Sequence, residues 1–311
     1  MTVAVLFPGQ GSQYVGMGAE LFDTRADLLG DRADRILGWS LREMCLDGPE
    51  EKLIRTEHAQ AALFAVSYAL WEEFREGYPG TIAAAAGHSL GEYTALCSAG
   101  AISYPEALSV VASRGRAMAQ AADLEPSGMA ALIGGDVALA EEVASRRRAE
   151  GGRLEVANIN APGQVVVAGS KGDIEWVTEN ARDLGFRRVI PLKVAGAFHS
   201  SFMEPAADEV AGALAGVSFS EAEFPVWSNT TAAPHDLGRM AHTLRSQVVS
   251  PVRFEESLHA MSETGIDTFV HVGPGDATGG MAKRTIADAT VHVVSGVADI
   301  PSVADSLVTV D

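Results

Sequence analysis

A serine lies between two glycines in the stretch GHSLGEYTAL, which begins at Gly87. The stretch follows a short apolar run, TIAAAA, and leads into a helical pattern, so the serine falls at a strand-to-helix turn. The motif G-x-S-x-G at such a turn is typical of a nucleophile elbow, in which the serine hydroxyl stands exposed at a helix N-terminus. Ser89 is therefore a candidate nucleophile. Because the motif also occurs by chance, the assignment requires a base, an oxyanion site and a substrate anchor elsewhere in the chain.

A serine hydroxyl is a poor nucleophile at neutral pH and needs a base. His88 adjoins the serine, but consecutive side chains diverge at a sharp turn. His199, in VAGAFHSSFMEP, is the better candidate, because it lies where an inserted domain is predicted to return to the main sheet, and clefts often form at such junctions. The alternative for His199 is a structural histidine near a turn. His271 lies within a predicted strand, and a structural role is expected there.

Arg114 is the one charge on the apolar face of a helix predicted from Pro105 to about residue 121, whereas Arg116 lies on the polar face. A buried guanidinium keeps its proton and needs an anion, and leaving it unpaired costs roughly 3–5 kcal/mol. Two alternatives remain open: a structural salt bridge, or a bidentate contact with a substrate carboxylate. The apolar face comprises Ala107, Val110, Val111, Arg114, Ala117, Met118 and Ala121.

The glycine-rich segment FPGQGSQ follows the first predicted strand, TVAVLF. It lacks the GK[ST] of a phosphate-binding loop and the full GxGxxG of a dinucleotide site. A tight loop at the carboxyl end of a strand can still present backbone N–H groups to an oxyanion. The alternative is a plain structural turn.

The elements that position these residues alternate between strands and helices, which predicts an α/β fold with a mainly parallel sheet covered on both faces. Helices are also predicted over MGAELF and AALFAVSYALWEEF. Between about residues 127 and 196 the order becomes β-α-β-β-α-β, the pattern of a ferredoxin-like unit, with a turn at Asn160–Gly163 and a helix over DIEWVTENARDLG. We therefore predict a large catalytic domain, residues 1–126 and 197–311, and an inserted small domain, residues 127–196.

The composition indicates a globular protein with an acidic surface. The 311 residues are 47% hydrophobic and 21% charged, with 23 basic and 41 acidic residues and a net charge of −18. Such a surface repels nucleic acid and anionic membranes, so neither is an expected partner. The two cysteines, Cys45 and Cys97, form no pairing or zinc pattern, and no signal peptide or membrane span is evident. We expect a cytoplasmic protein that needs no metal or cofactor.

Seven motifs occur in one order that resembles malonyl-CoA:acyl carrier protein transacylases and the acyltransferase domains of fatty acid and polyketide synthases. The resemblance covers residues 6 to about 284 and implies a hydrolase-like α/β domain with an inserted ferredoxin-like one. The motifs are FPGQGSQYVGMG, GHSLGEY, RGRAM, NAPGQVVVAG, GAFHS, SPVRF and HVGPG.

The resemblance implies catalytic roles at matching positions. Ser89 is the expected nucleophile and His199 its general base. The family orients this histidine with a backbone carbonyl, and Gln247 matches that position, which is relevant because no aspartate is evidently placed to complete a triad. The backbone N–H groups of Gln10 and Leu90 are expected to form the oxyanion hole.

The resemblance also implies substrate-binding roles. Arg114 matches the arginine that holds the malonyl carboxylate, and Gln60 matches a pocket glutamine, although Ala61 replaces the usual proline after it. Phe198 is expected to fill the space that an α-methyl group needs, which favours malonyl over methylmalonyl. Asn160 is expected to border the acyl-CoA groove.

The implied activity is malonyl transfer from malonyl-CoA to the phosphopantetheine thiol of an acyl carrier protein, in fatty acid or polyketide synthesis, by a monomer. An acidic carrier requires a local basic patch, and the candidates are Lys283, Arg284, Arg187, Arg188 and Lys193. The alternatives are an editing acyl hydrolase, a stand-alone transferase for another acyl group, an ester hydrolase and a non-catalytic docking subunit. An ester hydrolase has no need for Arg114, and a docking subunit has no need for the whole set.

Overall fold

The computed structural model describes residues 2–308. Strands and helices alternate through most of this range, as expected of an α/β protein. The strands are β1 (Val3–Phe7), β2 (Ile82–Gly87), β3 (Ser127–Ile133), β4 (Leu154–Ala161), β5 (Gln164–Ser170), β6 (Arg188–Pro191), β7 (Val226–Trp227), β8 (Val252–Arg253), β9 (Thr268–Val272) and β10 (Thr290–Val294).

The helices vary from 4 to 22 residues in length. They are α1 (Leu21–Thr24), α2 (Ala26–Leu29), α3 (Asp31–Leu37), α4 (Leu41–Leu46), α5 (Glu50–Leu53), α6 (Thr56–Gly77), α7 (Gly91–Ser98), α8 (Tyr104–Leu124), α9 (Val137–Ala149), α10 (Lys171–Glu179), α11 (Glu204–Leu214), α12 (Met240–Gln247), α13 (Phe254–Glu263), α14 (Ala277–Thr285) and α15 (Ile300–Val308). Three 3₁₀ helices cover Ser201–Met203, Leu237–Arg239 and Val297–Asp299.

The main sheet has the strand order β10-β9-β1-β2-β7, and every neighbouring pair is parallel. All five residues of the central strand β1 are buried, as expected of a strand covered on both faces. The carboxyl ends of parallel strands meet at one edge of a sheet, where α/β proteins place their ligands. The segments that follow β1, β2 and β7 therefore converge at this edge.

The second sheet is built from the middle of the chain and has the order β6-β3-β5-β4-β8. Its first four strands are antiparallel in the arrangement of a ferredoxin-like unit, with α9 and α10 as the intervening helices. The short strand β8 pairs in parallel with β4 at Asn158 and Ile159. The predicted α/β class, with a hydrolase-like parallel sheet and a ferredoxin-like second sheet, is confirmed.

One strand of the second sheet comes from outside the predicted small domain. β8 lies at Val252–Arg253, which the predicted boundaries assign to the large domain. The range 127–196 contains the other four strands, and the division at those boundaries stays a prediction.

Two predicted helices are wrong in extent. The segment MGAELF is mostly turn and helix α1 begins only at Leu21, because Gly16 and Gly18 have φ of 97° and 69°, values that no right-handed helix accommodates. The helix predicted over DIEWVTENARDLG ends at Glu179, and turns continue to Gly185, whose φ is 89°. In the first segment the glycines precede and delay the helix, whereas in the second the helix ends six residues before Gly185.

Two further features differ from the prediction. Asn160 belongs to β4, not to the following turn, which consists of Pro162 and Gly163. The helices α2 to α5, between residues 26 and 53, were not predicted, because each has only four to seven residues and too few turns for a clear period.

Helices α6 and α8 pack against each other, and their contact fixes the position of Arg114. The neighbouring residue on α8 is Gly115, and a Cβ there would lie 3.0 Å from the backbone oxygen of Thr56. The glycine thus permits a close approach that brings Arg114 to Gln60 on α6. Among residues 2–308, no helix is both long and apolar enough to cross a membrane.

Candidate active site

The serine of the GHSLG motif occupies a tight turn between β2 and α7. Ser89 has φ of 52°, in the left-handed region that non-glycine residues rarely adopt. The flanking glycines are required by space: a Cβ at Gly87 would overlap the carbonyl of Gly91, and one at Gly91 would overlap the backbone oxygen of Phe7. The geometry is that of a nucleophile elbow packed against the end of the central strand.

His199 contacts the serine directly. Its Nε2 lies 2.7 Å from Ser89 Oγ, and its Nδ1 lies 2.8 Å from the backbone oxygen of Gln247. A carbonyl can only accept a hydrogen bond, so Nδ1 carries the proton and Nε2 is left to accept the serine proton. His199 itself has φ of 59°, so both residues of this pair have left-handed backbones.

The imidazole of His199 is held neutral by its surroundings. It is 4% exposed, and burial, together with the positive charge of Arg114, lowers its pKa to about 3. A neutral imidazole is the form that can take a proton from serine. An anion bound at Arg114 would remove the second cause of the lowered pKa and make His199 a stronger base.

Arg114 is fully buried and aimed at the nucleophile. Its Nη2 donates to Ser89 Oγ at 3.1 Å and to Gln247 Oε1 at 3.0 Å, and its Nη1 donates to Gln60 Oε1 at 2.6 Å. Its guanidinium also lies 5.6 Å from the ring centroid of Tyr93. All three acceptors are neutral oxygens, and burial lowers the pKa of Arg114.

No carboxylate of residues 2–308 lies within 4.0 Å of the Arg114 guanidinium. The structural salt bridge that the sequence left open is therefore not formed in this part of the chain. A buried cation whose direct hydrogen-bond partners are all neutral still favours an anion, although the buried charge of Glu92 partly stabilises it from a greater distance. The arrangement can receive the carboxylate of a ligand beside the serine.

The two predicted oxyanion donors come from neighbouring turns. Leu90 is the N-cap residue of α7, so its N–H lies among the amide groups that a helix cannot satisfy internally. The loop that carries Gln10 lies against the elbow, since a Cβ at Gly9 would clash with the backbone oxygen of His88. The Gln10 side chain contacts α6, where its Nε2 donates to Thr56 Oγ1 at 3.2 Å.

Other predicted residues lie around this centre. His88 points away from the serine, and its Nε2 lies 2.7 Å from Oδ1 of Asn160 on β4. Phe198 is buried in the main core. Both ring nitrogens of His271 lie within hydrogen-bonding distance of protein oxygens, those of Thr278 and Gly273, at 2.6 and 3.0 Å. A structural role accounts for His271 fully.

Three residues of the network, Asn229, Glu92 and His235, were not predicted from the sequence. Asn229 follows β7, and its Oδ1 accepts from the Ser89 N–H at 2.7 Å. Glu92, on α7, is fully buried and accepts from Gln247 Nε2 at 2.8 Å and from His235 Nε2 at 2.6 Å. The signal for Glu92 was available: it is a lone charge in the apolar helix GEYTALCS, as Arg114 is in α8. Asn229 had a weaker signal, a polar residue at the end of a strand.

A serine activated by a carbonyl-oriented histidine, next to helix-terminal amide groups, can attack an ester or thioester carbonyl. The α/β fold and this site together define the class of serine-dependent acyl-transfer proteins. The chain matches the acyl transferase domain family over residues 5–302 and belongs to that family.

Three relatives show the extent of the likeness. The malonyl CoA-acyl carrier protein transacylase of Bacillus subtilis is 40% identical over 285 residues, which are 91% of this chain and 90% of the relative. The structure of the corresponding transacylase of Coxiella burnetii superposes with a TM-score of 0.94 at 30% identity, over 99% of this chain and 98% of the other. A chain from a complex of a type II PKS acyl-carrier protein with its malonyl-transacylase has a TM-score of 0.93 at 33% identity, over 98% and 100% of the two chains.

Proposed function

We propose that this protein transfers a malonyl group from malonyl-CoA to the phosphopantetheine thiol of an acyl carrier protein, through an acyl-Ser89 intermediate. The observation that carries the proposal is a fully buried cation, Arg114, which lies 3.1 Å from the candidate nucleophile and has only neutral acceptors. Such a site suits an acyl group that ends in a carboxylate. The relatives named as malonyl transacylases support the same substrate.

In the first half-reaction, Ser89 Oγ attacks the thioester carbonyl while His199 Nε2 takes the hydroxyl proton. The carbonyl oxygen becomes an oxyanion, which the N–H groups of Gln10 and Leu90 stabilise. Collapse of the tetrahedral intermediate breaks the C–S bond, and His199 returns its proton to the departing sulfur. The products are free CoA and malonyl-Ser89.

In the second half-reaction, the carrier's phosphopantetheine thiol attacks the serine ester. His199 takes the thiol proton, a second oxyanion forms in the same hole, and the C–O bond to Ser89 breaks. His199 then returns the proton to the serine oxygen. The malonyl group leaves on the carrier and the free enzyme is restored, as ping-pong transfer requires.

Arg114 binds the malonyl carboxylate in this mechanism and so fixes the position of the reacting carbonyl. Gln60 and Gln247 hold the guanidinium in place through the hydrogen bonds at 2.6 and 3.0 Å. An acyl group without a carboxylate gains nothing from this contact, so the site favours acyl groups that end in an anion.

Phe198 is proposed to select malonyl over methylmalonyl, because a ring in the buried segment before His199 restricts the space at the α-carbon. Exclusion of one methyl group by packing is worth only ~1–3 kcal/mol, so slow use of methylmalonyl-CoA is expected. Values of kcat/KM for the two substrates test this, and an equal or higher value for methylmalonyl-CoA would contradict it. Asn160 is proposed to border the acyl-CoA groove, near the elbow that it reaches through His88.

The carrier protein is proposed to dock on cations near the site, because long-range repulsion from a chain of net charge −18 opposes an acidic partner. Lys283 and Arg284 are exposed on α14, where Arg284 Nη1 donates to Gln164 Oε1 of β5 at 2.8 Å. Three further cations are exposed around β6: Arg187 just before the strand, Arg188 within it and Lys193 just after it.

Reversal of Lys283 and Arg284 to Glu is expected to raise KM for the carrier by roughly tenfold or more at low ionic strength, with malonyl-CoA hydrolysis unchanged. Reversal of the exposed Arg32 and Arg35 on α3 changes the net charge equally and serves as the control. Equal carrier KM values for both double variants would place the docking surface elsewhere.

We also propose that the protein acts as a cytoplasmic monomer. Cys45 and Cys97 are free and buried, which suits a reducing compartment. Every residue assigned to the mechanism comes from one chain, so the site needs no second subunit. Sedimentation of the purified protein at micromolar concentration tests the monomer, and a stable dimer would contradict it.

The acyl-enzyme is the decisive test of the proposed reaction. Incubation with malonyl-CoA should add one malonyl group, detected by intact mass, and Ser89→Ala should abolish the addition. Ser98→Ala, a change of a buried serine at the end of α7, should leave it intact. His199→Ala should slow acylation by at least ~10²-fold. Labelling that persists in Ser89→Ala, or an unchanged rate in His199→Ala, would overturn the assigned roles.

A further inference from the structure

Glu92 is a fully buried carboxylate for which the reaction above has no use. Its Oε2 accepts from Gln247 Nε2 at 2.8 Å and from the Asn229 N–H at 3.1 Å. Its Oε1 accepts from His235 Nε2 at 2.6 Å. Burial of a carboxylate is costly unless donors surround it, and these three donors meet that need. Two of these three donor residues, Asn229 and Gln247, also form hydrogen bonds with Ser89.

Asn229 and Gln247 hold the backbone of the elbow. Asn229 Oδ1 accepts from the Ser89 N–H at 2.7 Å, and its Nδ2 donates to the Gly87 oxygen at 2.8 Å. Gln247 Nε2 donates to the Ser89 oxygen at 2.8 Å. These bonds hold the serine at φ of 52°, a conformation that persists only where the surroundings over-determine it. Glu92 accepts hydrogen bonds from both Asn229 and Gln247 and thereby fixes the two residues that hold the elbow.

The orientation of the Gln247 amide depends on Glu92. A carboxylate can only accept, so it attracts the NH₂ end of the amide and turns Oε1 toward Arg114, where the oxygen accepts at 3.0 Å. The reverse orientation would set the amide NH₂ against a guanidinium that only donates. The backbone oxygen of the same glutamine orients His199. One carboxylate therefore acts on the serine, the histidine and the arginine through a single intermediary.

His235 supports Glu92 from the far side. Its Nδ1 is buried and has no hydrogen-bond partner within residues 2–308. A ring nitrogen without a proton tolerates that situation better than an N–H does, so the proton lies on Nε2, where it is donated to Glu92. His235 thus fixes the carboxylate of Glu92 without contacting Ser89, His199 or Arg114.

We propose that Glu92, supported by His235, is a positioning residue for acyl transfer: through Asn229 and Gln247 it sets the geometry of Ser89, His199 and Arg114 without touching the substrate. This proposal rests on the proposed function, because it assigns Glu92 a role in the acylation of Ser89. It predicts that loss of the carboxylate slows the reaction of every acyl group, since the serine and histidine serve all of them.

The test compares Glu92→Met, which keeps the volume and removes the acceptor, with Glu92→Gln, which keeps one. Single-turnover acylation is measured with malonyl-CoA and acetyl-CoA at a temperature where circular dichroism shows each variant folded. Glu92→Met should be slower by about 10²-fold with both substrates, the usual effect of a misplaced catalytic group. Glu92→Gln should be slower by no more than about tenfold, because a neutral acceptor makes weaker hydrogen bonds.

Asp173→Asn is the matched control. Asp173 is another buried carboxylate with several donors, but it lies on α10 beside the second sheet and contacts no residue of the site. Its variant should melt at a lower temperature and acylate at the wild-type rate. A folded Glu92→Met that also acylates at the wild-type rate would show that Glu92 is merely structural and would overturn the proposal.

Two further outcomes are distinguishable. If Glu92→Met does not fold, His235→Phe takes its place, and it should slow acylation with both substrates by about tenfold, the effect of one weakened hydrogen bond; an unchanged rate would again overturn the proposal. If the wild-type protein forms no acyl-enzyme at all, the proposed function fails. Normal wild-type acylation with unaffected variants refutes the positioning role alone.

Discussion

Two buried charges in this molecule are met in opposite ways. Asp173, beside the second sheet, is 3% exposed and accepts from Arg147 Nε at 2.6 Å, the Arg153 N–H at 2.8 Å and Ser170 Oγ at 2.5 Å. Arg114, at the end of the main sheet, is 0% exposed and contacts only neutral oxygens. Asp173 is stabilised by donors of the protein itself, including a cation. Arg114 has no anionic hydrogen-bond partner within residues 2–308, so it can bind an anionic ligand.

The pKa shifts express the same difference. Burial opposes ionisation of Asp173, but the hydrogen bonds of Ser170, the Arg153 amide and Arg147 outweigh burial, and its pKa is lowered. Burial dominates at Arg114, and its pKa is lowered too, which for a base means that the charged form is disfavoured. The fold therefore stabilises the charge of Asp173 and penalises that of Arg114. A buried charge that costs stability and lies beside a nucleophile indicates a functional role for Arg114.

The largest expected effect comes from Arg114→Ala. Malonyl transfer should lose ~2–4 kcal/mol of transition-state stabilisation, or about 30- to 1,000-fold in rate. Acetyl transfer should fall little or rise, because it never used the guanidinium. The melting temperature should change little, since removal of the buried charge offsets the loss of its hydrogen bonds. Equal losses in malonyl and acetyl transfer, with a melting temperature lower by several degrees, would show that Arg114 is a structural charge like Asp173.

Asp173→Asn is expected to show the reverse pattern. It should reduce the free energy of unfolding by ~1–3 kcal/mol, because the hydrogen bonds to a neutral amide are weaker and Arg147 keeps only its ion pair with Glu150. Both acyl-transfer rates should stay at the wild-type level. Urea titration and acylation kinetics on one preparation measure both quantities. A slower acylation in the folded variant would mean that the second sheet contributes to the chemistry after all.

A gradual effect is expected from acid. Since the pKa of His199 is lowered to about 3 in the folded protein, the unfolded chain binds the proton first as pH falls below about 6.5, and folding loses stability from there downward. Asp173 has a lowered pKa, so its contribution is present above its ordinary value of 3.8 and is lost only at more acidic pH.

The contributions of His199 and Asp173 to the pH dependence of stability can therefore be measured separately. His199→Gln should remove up to about 1.4 kcal/mol of the stability loss per pH unit between pH 6 and 4. Asp173→Asn should leave the slope in that interval unchanged. Urea titrations at pH 7, 5.5 and 4.5 measure the slopes, and identical slopes for His199→Gln and the wild type would show that the imidazole titrates normally in the fold.

The sequence carried enough information to select Ser89, His199 and Arg114, and in the structure their side chains meet within hydrogen-bonding distance. Each stood out locally: a serine between glycines, a histidine at a domain junction and a charge on an apolar face. Asn229 had only a weak signal, that of a polar residue at the end of a strand. Its contact with Ser89 spans 140 residues, and no local pattern predicts which polar side chain a neighbouring strand brings to an elbow.

The fold class followed from the alternation of strands and helices, but element ends did not. The helical pattern in MGAELF did not become a helix from its start, because the backbone at Gly16 and Gly18 has positive φ, which the apolar pattern does not reveal. The pairing of β8 with β4 was also beyond sequence reasoning, because a two-residue strand has no period to detect. Local patterns fix the kind of element, whereas tertiary contacts fix its limits and its neighbours.

The left-handed backbone at position 89 restricts which amino acids could ever replace the nucleophile. An L-residue in this region costs roughly 1–2 kcal/mol, and a side chain branched at Cβ adds a further steric restriction. Cysteine, unbranched like serine, fits the elbow with φ of 52°. Threonine carries the same hydroxyl but brings a methyl group into the crowded turn. The dihedral angle at position 89 therefore disfavours threonine and accepts cysteine, whose thiol is the nucleophile most similar in shape to the serine hydroxyl.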